Sequence, residues 1–128
     1  MLEIFSSGLD GDDSIKRDDL RKLEKWCLFF GEVGNQFLDR KLNKICQKLL
    51  NSTTMLVVFI SKNFFHLQGQ DPHNNYLYLY PDLNIDRGGS AATMPKYEEY
   101  ASELEELNDG VLTQYGKYRL TIKQLLKI

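Results

Sequence analysis

Cysteine occurs twice, histidine twice, tryptophan once and proline three times in 128 residues. Two cysteines are too few for a disulfide scaffold. With no histidine near either in sequence, Cys27 and Cys46 do not form a zinc site. An excess of one charge is also missing: 16 Lys and Arg face 18 Asp and Glu, a net charge of −2. That balance gives no general reason to expect a polyanion partner. Long apolar runs are lacking too. The longest, Met55 to Ile60, falls far short of the roughly 20 residues a membrane-spanning helix needs. The first residues, Met1 to Gly8, have neither the basic nor the apolar region of a secretory signal. A soluble, cytoplasmic protein with no membrane partner is expected, with both thiols reduced and packed in apolar surroundings.

Catalytic signatures are equally scarce. The chain contains no G-x-G-x-x-G, Walker A, G-x-S-x-G, H-E-x-x-H or C-x-x-C. Asp10, Asp12 and Ser14 offer oxygens at the first positions of a calcium loop. Ile15 stands where that loop needs glycine and Arg21 where it needs a bidentate glutamate, so the reading fails. No cofactor and no metal is expected.

What is present is a core. Seven Phe, seven Tyr and one Trp accompany a 42 % hydrophobic share, enough to exclude a disordered chain. Leu20, Leu23, Cys27 and Phe30 recur at three- and four-residue spacing behind an acidic lead-in. That pattern predicts an amphipathic helix over about 14–31, capped by Ser14. Leu38, Leu42, Ile45 and Leu49 predict a second helix over about 35–50. Arg40, Lys41, Lys44 and Lys48 decorate it, opposed only by Asp39. The glycines at 31 and 34 predict a helical hairpin between the two.

Asn51-Ser52-Thr53-Thr54 reads as a cap-rich break, and the apolar run after it as a third, buried helical segment, with a strand as the alternative. Tyr76-Leu77-Tyr78-Leu79-Tyr80 alternates with period two, the mark of a short strand whose partner is not evident. From Pro95 a heptad spacing runs through Tyr97, Leu104, Val111, Tyr118 and Leu125 to Ile128. It predicts one long helix over 95–127, against a hairpin turning at Gly116 as the competing reading. The expected fold is all-α for the most part. It is one helical domain over 1–128, a bundle of about four helices with an irregular, short-strand insertion at 68–94.

Three functional readings follow. The first is a non-enzymatic interaction module or accessory subunit. A protein partner or homo-oligomer would engage its Tyr-rich, low-charge surface and its long C-terminal helix. Tyr76, Tyr78 and Tyr80 carry it, with Asp71, His73, Asp86 and Arg87 in the adjoining loops, because tyrosine is a frequent interface anchor. The second is a small hydrolase or nuclease-like enzyme with a site in 66–87 built on Asp71, His73, Asp86 and Arg87. The third is a nucleic-acid-binding bundle using the basic face of the second helix. The first is favoured, and nucleic acid less so, because Lys62 and Arg87 are the only Lys or Arg between Thr54 and Pro95. Gly88-Gly89-Ser90 before the last helix is a weak candidate anion seat.

Overall fold

A computed structural model describes residues 13–33, 40–67 and 76–126, with the side chains of 30–33 outside the description. Strand β1 (Ser14–Lys16) runs directly into helix α1 (Arg17–Val33). Helix α2 (Arg40–Asn63) runs directly into strand β2 (Phe64–Phe65), and strand β3 (Tyr76–Leu79) and helix α3 (Met94–Leu126) follow. The described residues are mostly helical. They form three helices and one three-stranded antiparallel sheet in the order β1-β3-β2, where four helices were expected.

The tyrosine-rich strand finds its partners in two very short segments. Ser14, Ile15 and Lys16 pair with Tyr78, Leu77 and Tyr76, and Phe64 and Phe65 pair with Leu79 and Tyr78. Ser14 is therefore a buried strand residue and not a helix cap. The first helix begins at Arg17, with Asp18 and Asp19 in its first turn at the positive end of the helix dipole.

The expected break at Asn51–Thr54 does not occur, and α2 is continuous. Thr53 is buried and its hydroxyl donates to the Leu49 carbonyl at 2.9 Å. The helix thereby satisfies the polar group from within, one turn back. Leu49, Thr53, Leu56 and Ile60 then form one buried stripe across the supposed break. The third apolar segment is the second half of this helix and ends in β2. The competing strand reading holds only for Phe64 and Phe65.

α3 is a single helix through Gly110 and Gly116, so the hairpin at Gly116 is excluded. Neither glycine meets anything within 4 Å of the Cβ it lacks. Tyr97, Leu104 and Val111 of the heptad series are buried and Tyr118 packs against the core, so the stripe is chiefly intramolecular core.

α1 and α2 are antiparallel. Arg17, at the start of α1, reaches His66 just beyond α2, while Cys27 bonds Thr54 farther along. α2 and α3 are antiparallel too, with Tyr118 beside Cys46 at one end and the sheet at the other. Ile15, Leu23, Leu49, Leu56, Ile60, Leu79 and Val111 are the fully enclosed apolar side chains where sheet and helices meet. Each contributes on the order of 1.5–3 kcal/mol by leaving water. Among the described residues no helix is long and apolar enough to cross a membrane.

Candidate functional site

The two tyrosines of β3 and Tyr80 just beyond it do not share one open surface. Tyr76 is half-buried, with the Lys16 ammonium 5.7 Å from its ring centre. Tyr78 is buried, and the Arg87 guanidinium lies 4.0 Å over its ring, a cation–π contact. Tyr80 leaves the strand with φ of 31°, so its side chain does not continue the alternation. Its hydroxyl donates to Asn63 Oδ1 at 2.5 Å, and its ring lies 4.3 Å from that of Tyr100 and 5.5 Å from that of Phe65. Burial first, and then Tyr100, raises the Tyr80 hydroxyl above its ordinary value. Strand alternation supplies the row of rings, and the fold uses two of the three as packing.

Asp71 and His73 lie outside the described residues. Asp86 and Arg87 do come together, in a loop that connects β3 to α3. The loop is tightly bonded to itself: Leu83 N–H donates to the Tyr80 carbonyl, Arg87 N–H to that of Asn84 and Asp86 N–H to Asn84 Oδ1. The Gly88 N–H donates to the Pro81 carbonyl and the Gly89 N–H to that of Asn84, while the Ser90 N–H donates to Thr93 Oγ1. All three N–H groups that might have seated an anion are therefore spent inside the loop. Gly89 is required there, because a Cβ would sit 2.4 Å from the Leu83 carbonyl carbon.

Asp86 and Arg87 line a cleft of about 530 Å³ with Asp82, His66 and the apolar side chains of Phe65 and Pro81. His66 adds the residue type a general base needs. Its Nε2 is engaged by the Arg17 guanidinium. Arginine only donates, so that nitrogen is the acceptor and is occupied. Arg87 is held over Tyr78 by the contact already described. Among the described residues no three His, Cys, Asp or Glu side chains converge as metal ligands would.

Two further surfaces stand out. α2 contains no Asp or Glu over its 24 residues. Arg40, Lys44, Lys48, Asn51, Met55, Val58 and Lys62 follow one another at three- and four-residue steps and are all exposed, with Lys41 alongside. They make one helix face about 33 Å long at 1.5 Å per residue. Met55 is 59 % and Val58 45 % exposed, so the face has an apolar centre between cations. Arg40, Lys41 and Lys44 crowd the helix N-terminus, where cations oppose the dipole. Among the described residues no carboxylate pairs with Lys44, Lys48 or Lys62.

The second surface is acidic. Asp13, Glu98, Glu105 and Asp109 line an open groove of about 470 Å³ beside α3, together with Ser102 and Asn108. Among the described residues no basic one lines it. Asn108 is 5 % exposed, and its Oδ1 has no hydrogen-bond partner among the described residues. Asp13 is fixed there by φ of 55° and by a 2.7 Å hydrogen bond from the Tyr97 hydroxyl. Burial, and then that bond, pushes the Tyr97 hydroxyl well above its ordinary value.

Sequence reasoning found the cations of the α2 face but divided the face at residue 51, and Met55, Val58 and Lys62 were left in another element. The absence of any acid from Arg40 to Asn63 was the available signal. Compared with protein-family models, with curated proteins and with solved structures, the chain finds no match.

Proposed function

We propose that the protein is a non-enzymatic helical interaction module whose contact surface is the exposed face of α2, and that this face takes an acidic protein partner. The observation that carries the reading is the mixed stripe of α2, with Met55 and Val58 exposed between Lys48 and Lys62 on a helix without one acid. An apolar centre with a charged rim is how protein interfaces are built, and methionine adapts to irregular partner surfaces. Cations set at the wrong end of a helix dipole break a local rule, and such breaks gather at working surfaces. Tyr76 and the exposed end of α3, with Leu120 and Leu126, supply secondary contacts in this reading.

The test is recovery of partners from native cells with tagged chain. Wild type is compared with Met55→Ser/Val58→Ser and with Lys44→Glu/Lys48→Glu. A protein recovered by wild type and lost with both variants is the expected result. Nucleic acid recovered by wild type, lost with the charge variant and kept with the neutral one, would favour phosphate binding through the same helix. Recovery unchanged by either variant would remove the α2 face from the account.

One observation supports a second reading, a small hydrolase or nuclease-like enzyme: His66, Asp82, Asp86 and Arg87 share the 530 Å³ cleft. An ester, phosphoester and nuclease screen of wild type against Asp82→Asn and Asp86→Asn tests it. Activity lost in either variant would put the chemistry in this cleft.

A further inference from the structure

The basic face of α2 and the acidic groove of α3 belong to the same chain, which raises the question of what each would meet. α3 packs against the buried stripe of α2, the side opposite the cations. No ion pair joins Lys44, Lys48 or Lys62 to Glu98, Glu105 or Asp109 among the described residues.

Their dimensions correspond. Lys44 and Lys48 are one helical turn apart, and so are Glu105 and Asp109, a step of about 6 Å in each case. Glu98 lies a further two turns from Glu105 along the groove, and Met55 a further two turns from Lys48 along α2. Antiparallel helices in that register would set Lys44 against Asp109, Lys48 against Glu105, and Met55 at the end of the groove marked by Glu98 and Ala101.

We propose that the acidic occupant of the α2 face is a second copy of this chain, docked through the groove of α3. This rests on the reading of α2 as a contact surface and names what it contacts. The contact is heterologous, since one face meets a different face, and each molecule can both give and receive it. Opposite charge across the contact steers association and fixes register, and it weakens as salt screens the charges.

Sedimentation of the full chain at about 20 mM and about 500 mM salt tests the proposal, because screening shortens several-fold over that range. Wild type is expected to associate at low salt, with a dissociation constant at least about tenfold higher at high salt. Lys44→Glu/Lys48→Glu and Glu98→Lys/Glu105→Lys are each expected to be monomeric alone. A 1:1 mixture of the two, and the chain carrying all four changes, should associate again. All four positions are exposed, and unchanged helical circular dichroism shows that the variants fold. A wild type that stays monomeric at both salts, an association that neither reversal alters, or a mixture that stays monomeric would overturn the proposal. A monomeric wild type that still recovers a cellular partner through Met55 and Val58 would overturn only the second-copy assignment and leave the module reading standing.

Discussion

The Tyr97 hydroxyl donates to Oδ2 of Asp13 at 2.7 Å, tying α3 to the residue before β1 across 84 positions of sequence. Asp13 also accepts from the Leu79 N–H at 3.1 Å through its backbone carbonyl. It thus anchors the sheet edge and the long helix together, in a left-handed conformation that aspartate tolerates better than most residues.

Tyr97→Phe is expected to cost about 1.5–3 kcal/mol, the range for a hydrogen bond to a charged group, read from the urea midpoint. Asp13→Ala should cost more than Asp13→Asn, because alanine loses the acceptor and resists the positive φ.

The same bond predicts a pH dependence. The folded state holds the Tyr97 hydroxyl protonated beyond its ordinary value of 10.0, through burial first and the Asp13 carboxylate second. The unfolded chain therefore releases this proton first. The stabilisation is complete below that ordinary value and is lost as the pH climbs through and beyond it, where the unfolded state binds fewer protons. Denaturant melts from pH 8 to about 11 should show Tyr97→Phe losing less stability over this range than wild type.

The glycines divide into two kinds. Gly110→Ala and Gly116→Ala are each expected to stabilise the protein by about 0.5–1 kcal/mol, since both lie in α3 with open space at the missing Cβ. Gly89→Ala should be destabilising, because its Cβ would meet the Leu83 carbonyl carbon at 2.4 Å. Thermal and urea unfolding of the three variants separates them by sign.

Asn108 is buried, with Oδ1 unpartnered among the described residues. Asn108→Leu is expected to raise stability by about 1 kcal/mol, since an unsatisfied polar atom is exchanged for an apolar one beside an open groove. Urea and thermal unfolding of this variant against wild type check the sign.

How far the sequence foretold this structure depends on the length of each signal. The heptad run from Tyr97 to Tyr118 spans many turns, and the start of its helix was legible to within a residue; the expected end at 127 lies outside the described residues. The Tyr76–Leu79 strand was legible from its alternation, yet its partners were not. β1 has three residues and β2 two, too short for any period to show, and only the sheet itself identifies them. The Asn51–Thr54 stretch misled for a physical reason. Its residues are cap formers by local chemistry, and the helix overrides them by burying Thr53 and turning its hydroxyl onto Leu49. That one misplaced break hid the candidate site, since the α2 face exists only if the helix is continuous. Arg87 was singled out as a functional cation. Its placement over Tyr78 depends on a loop fold, set by Asn84 and Gly89, that no periodicity encodes.

Arg87→Met is expected to destabilise by about 0.5–2 kcal/mol, through loss of the cation over the Tyr78 ring. Arg87→Lys should rescue this only in part, because lysine lacks the flat guanidinium that stacks on a ring. Unfolding midpoints of the two variants check the order.

The most direct measurement of the central claim places a photocrosslinking side chain in α2 or in β3 of the full chain in cells. Positions Met55 and Tyr76 are compared, with the exposed Glu103, on the side of α3 away from its acidic groove, as control. The account predicts a discrete protein adduct from position 55, a weaker adduct or none from 76, and none from 103. A strong adduct from position 76 with none from 55 would contradict it and return the contact surface to the tyrosine strand.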